Sequence, residues 1–138
     1  SGQAILKAMK KFRSTYRTRN YNIFQSDIFA LPARDKAFDL NISFGVLEHF
    51  DDIVGAIREL KRTSRVVIAS VPSAGPIWRS TTHIRRLIEK DPSLWTDKTN
   101  YYTKKQMLRF FLEAGCETVE VYESKLLVFP FLTTVVGT

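Results

Sequence analysis

The stretch FDLNISF at residues 38–44 decides the fold, together with the stretch RVVIASV at residues 65–71. Apolar and polar residues alternate along the first stretch, which predicts a strand with its apolar residues on one side. The second stretch is continuously apolar at its centre, as expected of a central parallel strand covered on both faces. Pro72 ends it. Two strands of this kind predict a layered α/β structure.

The residues between these strands predict a helix. Asp51 or Asp52 can cap its start, because a carboxylate accepts the free amide protons of a first turn. The spacing of the apolar residues then defines one helical face, made of Ile53, Val54, Ile57 and Leu60. A strand, a helix and a second strand in this order are typical of a mainly parallel sheet.

Further elements lie on both sides of this unit. Thr103 and Gln106 have the spacing of a capping box, so a helix starts there and ends before Gly115. Pro130 marks a bulge or a sheet edge. The remaining predicted elements are a helix over 3–18, a strand over Tyr21–Gln25, a short helix over 81–90, and strands over 118–122 and 125–136. The order predicts an α/β domain with a mainly parallel sheet.

Composition limits the class of protein. The 138 residues suit a single domain over residues 1–138. The 21 basic and 14 acidic residues give a net charge of +7, which favours an anionic partner but also describes a solvated basic surface. Cys116 is the single cysteine, so an internal disulfide is excluded and a cytosolic location is expected. No apolar run is long enough to span a membrane.

Ligands of open α/β sheets bind at the carboxyl ends of the strands. Three segments follow predicted strand ends, namely residues 26–28, 43–52 and 70–73. The sequence therefore concentrates the candidate site in these three segments. No cluster of metal-ligating residues is evident, and no metal is predicted.

Two of these segments carry a family resemblance. Residues 27–32 read DIFALP, residues 37–40 read AFDL, and residues 43–50 read SFGVLEHF. In this order and spacing they resemble the middle of class I S-adenosylmethionine-dependent methyltransferases, of the methyltransferase type 11-like kind. Residues 67–72, VIASVP, resemble the fifth strand of that family, and residues 102–115 resemble its late helix. The resemblance implies a Rossmann-like layered fold with an antiparallel C-terminal strand, and S-adenosylmethionine as cofactor.

The resemblance also implies cofactor-binding residues. Asp27 and Ile28 occupy the positions that meet the amine and a ring nitrogen of adenine, with a turn or cap role for Asp27 as the alternative. Ser43, Phe44 and Gly45 would border the methionine half of the cofactor. The alternative is that Phe44 belongs to the core and Gly45 to a simple turn.

Candidate substrate residues follow from the same resemblance. His49 would orient the methyl acceptor or take its proton, and Glu48 would bind the acceptor beside it. The alternative for His49 is a histidine at a helix start, bonded to a backbone carbonyl. Residues 73–100 occupy the place of a substrate-side insertion, where Arg79 and His83 would receive an anionic substrate. Scattered surface charge is the alternative for them.

One family feature is missing from the sequence. The six glycines lie at positions 2, 45, 55, 75, 115 and 137, so no glycine-rich cofactor loop can be formed. We expect the chain to begin just after the family's second strand, and its isolated form to bind cofactor weakly. In the family the first two strands lie between the third and fourth, so their loss exposes strand edges. Three outcomes stay open: the chain closes the gap in the sheet, it pairs through those edges with a second copy or another chain, or the protein has lost part of its ancestral fold.

Two other functions stay open at this point. A non-catalytic binding module could use its positive charge on nucleic acid, although no nucleic-acid motif is present. Another Rossmann-like nucleotide-binding protein is the third possibility, but it would also need a phosphate-binding loop.

Overall fold

The computed structural model describes residues 6, 10–11, 22–75, 99–126 and 129–138. Four strands and two α-helices make up the described fold. In chain order the elements are β1 (Phe38–Phe44), a single 3₁₀ turn (Leu47–His49), α1 (Ile53–Thr63), β2 (Ser64–Pro72), α2 (Lys104–Glu113), β3 (Val119–Leu126) and β4 (Phe129–Gly137). The predicted helices over 3–18 and 81–90 fall largely or wholly outside the described residues.

The sheet has the strand order β1-β2-β4-β3. β1 and β2 are parallel, with Leu40 beside Val66 and Ile42 beside Ile68. β4 is antiparallel to both of its neighbours, β2 and β3. Three strands therefore run in one direction and the C-terminal strand in the other, which confirms the predicted Rossmann-like arrangement.

Both α-helices begin where their caps predict. The Oδ1 of Asp52 accepts a hydrogen bond of 2.8 Å from the amide of Gly55 at the start of α1. Thr103 and Gln106 form the predicted reciprocal capping box at the start of α2. Each cap satisfies amide protons that a first helical turn leaves unpaired.

The core lies between the two helices and one face of the sheet. Asn41 marks this face on β1, because its side-chain amide donates to the Leu60 carbonyl and to the Thr63 hydroxyl of α1, both at 2.9 Å. The largest fully buried apolar side chains on this side are Phe111, Leu47, Ile57, Met107, Val67, Val71 and Val135. The opposite face of β1 carries Phe38, Leu40, Ile42 and Phe44, all of them exposed.

The predicted strand over Tyr21–Gln25 is wrong for the residues that the structure describes. Residues 22–26 have no regular secondary structure. An alternating pattern forms a strand only where a neighbouring backbone supplies hydrogen bonds, and none of the described strands pairs with this segment. Sequence alternation alone was insufficient here.

Pro130 lies at the predicted irregularity. The pairing of β3 with β4 shifts register between Ser124 and Lys125, and Lys125 pairs with Pro130. Since proline has no amide proton to donate, a bulge accommodates it inside a sheet. β2 pairs with β4 only as far as Leu132, so among the described strands Pro130 lies on a stretch of β4 that is bonded to β3 alone. Pro130 therefore fits both predicted alternatives, the bulge and the edge.

Among the residues described, no helix is both long and apolar enough to cross a membrane.

Candidate functional site

The carboxyl end of β1 turns sharply at Gly45. Its φ angle of 66° lies in the left-handed region, which glycine adopts without a steric penalty. The amide of Gly45 donates to the carbonyl of Ser70 at 3.1 Å, so the turn stays attached to β2. Within the described part of the chain, a side chain added at Gly45 would meet the Oε1 of Glu48 alone, at 3.7 Å from its Cβ. As far as these residues show, the turn leaves its backbone open to a ligand.

Two buried polar groups flank this turn and have no hydrogen-bond partner among the residues that the structure describes. They are the hydroxyl of Ser43 and the Oε2 atom of Glu48, in side chains that are 6% and 4% exposed. A buried polar atom without a partner costs free energy, so such atoms are rare and concentrate at functional sites. The structure thus places two predicted site residues together with unused hydrogen-bonding capacity.

Burial raises the pKa of the Glu48 carboxyl above its ordinary value. A hydrogen bond from its own backbone and the adjacent His49 act in the opposite direction but do not cancel the effect of burial. Removing a carboxylate from water disfavours its charged form. The site accordingly contains an acid that holds its proton more tightly than an exposed glutamate does.

The short helix that carries Glu48 and His49 is hydrogen-bonded to a distant segment of the chain. The amide of Asn100 donates to the carbonyl of Glu48 at 2.8 Å. The amide of His49 donates to the carbonyl of Val46 at 3.2 Å, and the His49 side chain is exposed. The His49 side chain is therefore accessible from solvent while its backbone is fixed.

Residues 27–30 form a tight turn on the same side of the fold. The Oδ1 of Asp27 accepts a hydrogen bond of 3.0 Å from the amide of Phe29, so the turn role proposed as the alternative for Asp27 is present. Its side chain is exposed. The rings of Phe29 and Phe50 meet edge to face with centroids 5.5 Å apart, which brings the 27–30 turn against the 43–50 segment.

Ile28 and Phe44 differ in their surroundings. Ile28 packs against the core, which fixes its backbone for the predicted contact with adenine. Phe44 is 68% exposed, so the alternative that assigned it to the core is wrong. Arg79 and His83 lie outside the described residues, and their predicted contact with substrate stays a prediction.

In the third predicted segment, after β2, the serine hydroxyls are hydrogen-bonded within the protein. The hydroxyl of Ser70 bonds to that of Thr134 at 3.1 Å, and the hydroxyl of Ser73 bonds to that of Thr133 at 2.8 Å. Both serines are buried. These bonds connect the end of β2 and the residue just after it to β4. Both hydroxyls thus already have a hydrogen-bond partner.

Arg62 is a structural determinant that the sequence interpretation missed. Its guanidinium donates to the carbonyls of Leu31 and Ala33 and pairs with Glu59 and Asp35. It thereby attaches the loop that follows the 27–30 turn to α1. The i,i+3 spacing of Glu59 and Arg62 was the only signal in the sequence, and it does not reveal the distant loop.

The buried acid makes a testable difference to stability. Because the pKa of Glu48 is raised in the folded protein, its contribution to stability is complete below the unfolded value of 4.5 and is lost as the pH rises through the folded value. Glu48→Gln cannot ionise, so its stability relative to the parent protein should increase with pH across this window. Urea unfolding of both proteins at several pH values measures the effect.

Glu117→Gln is the matched control, because Glu117 is exposed. It should follow the parent protein at every pH. If the free energies of unfolding of the parent protein and of Glu48→Gln change with pH in parallel, the assignment of a buried, proton-retaining acid is contradicted.

Comparisons with known proteins agree with this architecture. A family model described as a methyltransferase domain matches residues 4–66. The chain is similar in structure to a SAM-dependent methyltransferase, possible histamine N-methyltransferase, from Thermotoga maritima, with a TM-score of 0.62, 14% identity, and coverage of 94% of this chain and 69% of that one. Comparison with curated proteins gives no significant match.

Two further solved structures show the same likeness. Magnesium protoporphyrin IX methyltransferase from Synechocystis, solved with bound SAH, has a TM-score of 0.66 at 14% identity, with 97% of this chain and 59% of that chain covered. A SAM-dependent methyltransferase from Aquifex aeolicus has a TM-score of 0.66 at 13% identity, with 96% of this chain and 62% of that chain covered. The chain thus spans 59 to 69% of the length of these three solved chains.

Proposed function

We propose that this chain belongs to the class I S-adenosylmethionine-dependent methyltransferase family and forms part of an enzyme that transfers a methyl group from S-adenosylmethionine to an oxygen, nitrogen or carbon nucleophile. The observation that carries the proposal is the Gly45 turn, open on its ligand side and flanked by the unpaired polar groups of Ser43 and Glu48. The location we propose is the cytosol, since the sequence has a single cysteine.

The residues at the two strand-end segments fit such a cofactor. Ser43 has a hydroxyl that can both donate and accept, and the Gly45 backbone allows close approach of a polar ligand. Asp27 and the amide of Ile28 offer an acceptor and a donor to the edge of adenine, and Phe44 offers an exposed ring at the carboxyl end of β1. When bound, S-adenosylmethionine supplies an activated methyl group.

The acceptor side is assigned to Glu48 and His49. His49 is exposed next to the open turn and can receive the proton that a hydroxyl or amine loses on methylation. Glu48 offers a buried carboxyl on the adjacent residue, and the bond from the Asn100 amide to the Glu48 backbone carbonyl fixes the backbone that carries it. Much of the rate in such a transfer comes from alignment of the two reactants, so these residues act chiefly by positioning. Arg79 and His83 are proposed to bind an anionic part of the acceptor.

The absent glycine loop sets the expected cofactor affinity. The 138 residues contain no two glycines within four positions of each other, so the backbone donors of such a loop are not available from this chain. We expect the isolated chain to show no micromolar binding of S-adenosylhomocysteine in a calorimetric titration. Micromolar binding would contradict this expectation.

The proposed function has a separate test. The natural coding sequence upstream of Ser1 should be read, and any longer protein that contains a glycine-rich loop should be titrated in the same way. Binding by the longer protein, abolished when its loop glycines are replaced, is the expected result. A longer protein that has the loop but does not bind S-adenosylhomocysteine would overturn the proposed function.

A further inference from the structure

Two side chains on one turn of α1, Glu59 and Arg62, bind the backbone of the loop that follows the 27–30 turn. The amide of Leu31 donates to the Oε1 of Glu59 at 2.8 Å. The carbonyl of Leu31 accepts from the Nη2 of Arg62 at 3.2 Å, and the carbonyl of Ala33 accepts from its Nη1 at 3.0 Å. Both backbone polar groups of Leu31, the residue directly after the turn, are therefore bonded to α1.

The two side chains also fix each other. Arg62 donates from its Nε to the Oε2 of Glu59 and from its Nη2 to the Oε1, both at 2.7 Å. A bidentate pair of this kind is stronger and more directional than a single hydrogen bond. The Glu59 side chain is 12% exposed, and its bond with Arg62 lowers the pKa of its carboxyl below the ordinary value. The pair therefore presents a rigid, charged set of donors and acceptors to the loop.

The far end of the same loop is bonded to α1 as well. The Nη1 of Arg62 donates to the Oδ1 of Asp35 at 2.6 Å, and the amide of Lys36 donates to the Arg62 carbonyl at 2.8 Å. Residues 31–36 are thus attached to α1 at both ends. The 27–30 turn precedes this fixed segment directly in the chain.

The turn is too short to move independently of the loop. The amide of Ala30 donates to the carbonyl of Asp27 at 3.2 Å, so the hydrogen-bonded turn ends one residue before Leu31. A displacement of Leu31 therefore displaces the turn. Asp27 and Ile28, which offer an acceptor and a donor to adenine in the proposed function, move with it.

We propose that Glu59 and Arg62 are positioning residues for adenine binding, acting through the backbone of Leu31. They hold the Asp27 carboxylate and the Ile28 amide at the spacing that the edge of adenine requires. Hydrogen bonds need donor–acceptor distances of about 2.7–3.2 Å, and groups that are already in place spare the cost of ordering them on binding. This role rests on the proposed function, since it assumes that the turn contacts adenine.

Amide hydrogen exchange measures the attachment of the loop without any ligand. Glu59→Leu removes the acceptor of the Leu31 amide and should speed the exchange of that amide by about tenfold or more. Glu59→Gln keeps a side-chain oxygen that can accept from it, so protection should largely remain. Ile57 is a buried residue of α1, and its amide should stay protected in every variant if the helix is folded.

Adenosine at millimolar concentration is the ligand probe, because it carries the adenine edge but not the methionine side of the cofactor. In the parent chain its titration should shift the NMR signal of the Ile28 amide. Arg62→Met keeps a long side chain that suits a helix but loses every donor that Arg62 gives to the loop. Its dissociation constant for adenosine should rise by about tenfold. Glu59→Leu should weaken binding similarly, and Glu59→Gln should restore most of it.

The matched control is Arg109→Met. Arg109 pairs with Glu113 on α2, with its Nε 2.9 Å from the carboxylate, so this variant removes an arginine–glutamate pair from a different helix. Its Leu31 exchange and its adenosine affinity should equal those of the parent chain. An equal loss of affinity in Arg109→Met and Arg62→Met would overturn the proposal.

The remaining outcomes separate the positioning role from the proposed function. Fast Leu31 exchange in Glu59→Leu with unchanged adenosine affinity would show that the pair holds the loop but does not position the turn, which overturns the proposal alone. Slow Leu31 exchange in Glu59→Leu would also overturn it, because the loop would then not depend on the pair. If adenosine leaves the Ile28 amide of the parent chain unshifted, the adenine contact of the proposed function is wrong, and the positioning role is wrong with it.

Discussion

Replacing Phe111 with alanine is expected to lower the free energy of unfolding by about 3–5 kcal/mol. Phe111 is fully buried at the centre of the core, on the inner side of α2. Its ring contacts the C-terminal strand so closely that a Cβ added at Gly137 would lie 2.5 Å from it. The deletion therefore leaves a cavity between α2 and β4 that neither element can close.

Urea unfolding of Phe111→Ala and Leu112→Ala measures this effect. Leu112 is the next residue of the same helix but is 51% exposed, so its replacement should change stability by about 0.5 kcal/mol or less. Because small domains are stable by only about 5–15 kcal/mol, Phe111→Ala should be partly unfolded well below the midpoint of the parent protein. Similar losses for the two variants would show that the core does not lie where the structure places it.

Replacing Gly45 with valine is expected to affect both stability and cofactor binding. A β-branched residue in the left-handed region, where Gly45 has a φ of 66°, costs about 1–3 kcal/mol. In a form of the protein that binds S-adenosylhomocysteine, the added side chain should also occupy ligand space and weaken binding by about tenfold or more. Chemical unfolding and calorimetry give the two quantities separately.

Gly45→Asn separates the two effects. Asparagine adopts the left-handed region more readily than other non-glycine residues, so it should retain most of the stability that valine loses. Its side chain still enters the ligand space, and its affinity should fall as that of the valine variant does. Unchanged affinity in Gly45→Asn would exclude the turn from the cofactor site.

The elements that local sequence determines were predicted well. The cap at Asp52 and the capping box at Thr103 depend on residues three positions apart, and both are formed. The strand over 65–71 was predicted from a continuous apolar run, and β2 indeed lies inside the sheet, between β1 and β4. Such signals lie within one element and do not depend on the rest of the chain.

Features that depend on distant partners were predicted poorly. The alternation in Tyr21–Gln25 has the pattern of a strand, but no described strand pairs with residues 22–26. The attachment of the 31–35 loop by Arg62 joins residues that are about thirty positions apart, and nothing local indicates it. The packing that buries Glu48 and leaves its Oε2 without a partner also depends on contacts across the fold.

The candidate site was predicted in part. The segments at the strand ends were selected by a general rule for open sheets, and the Phe29–Phe50 contact brings two of them together. The third segment was also at a strand end, but Ser70 and Ser73 are bonded to β4. Their threonine partners are sixty or more residues away, so sequence alone could not reveal that these hydroxyls were occupied.

The central position of β4 has a consequence for the synthesis of the protein. β4 is the last of the described strands, yet it lies between β2 and β3 and supplies hydrogen-bond partners to both. A chain emerging from the ribosome therefore exposes β2 with one side unpaired until residues 129–137 have left the exit tunnel. Contacts of such long sequence separation slow folding. During that interval the unpaired side of β2 is open to other strands, which favours aggregation.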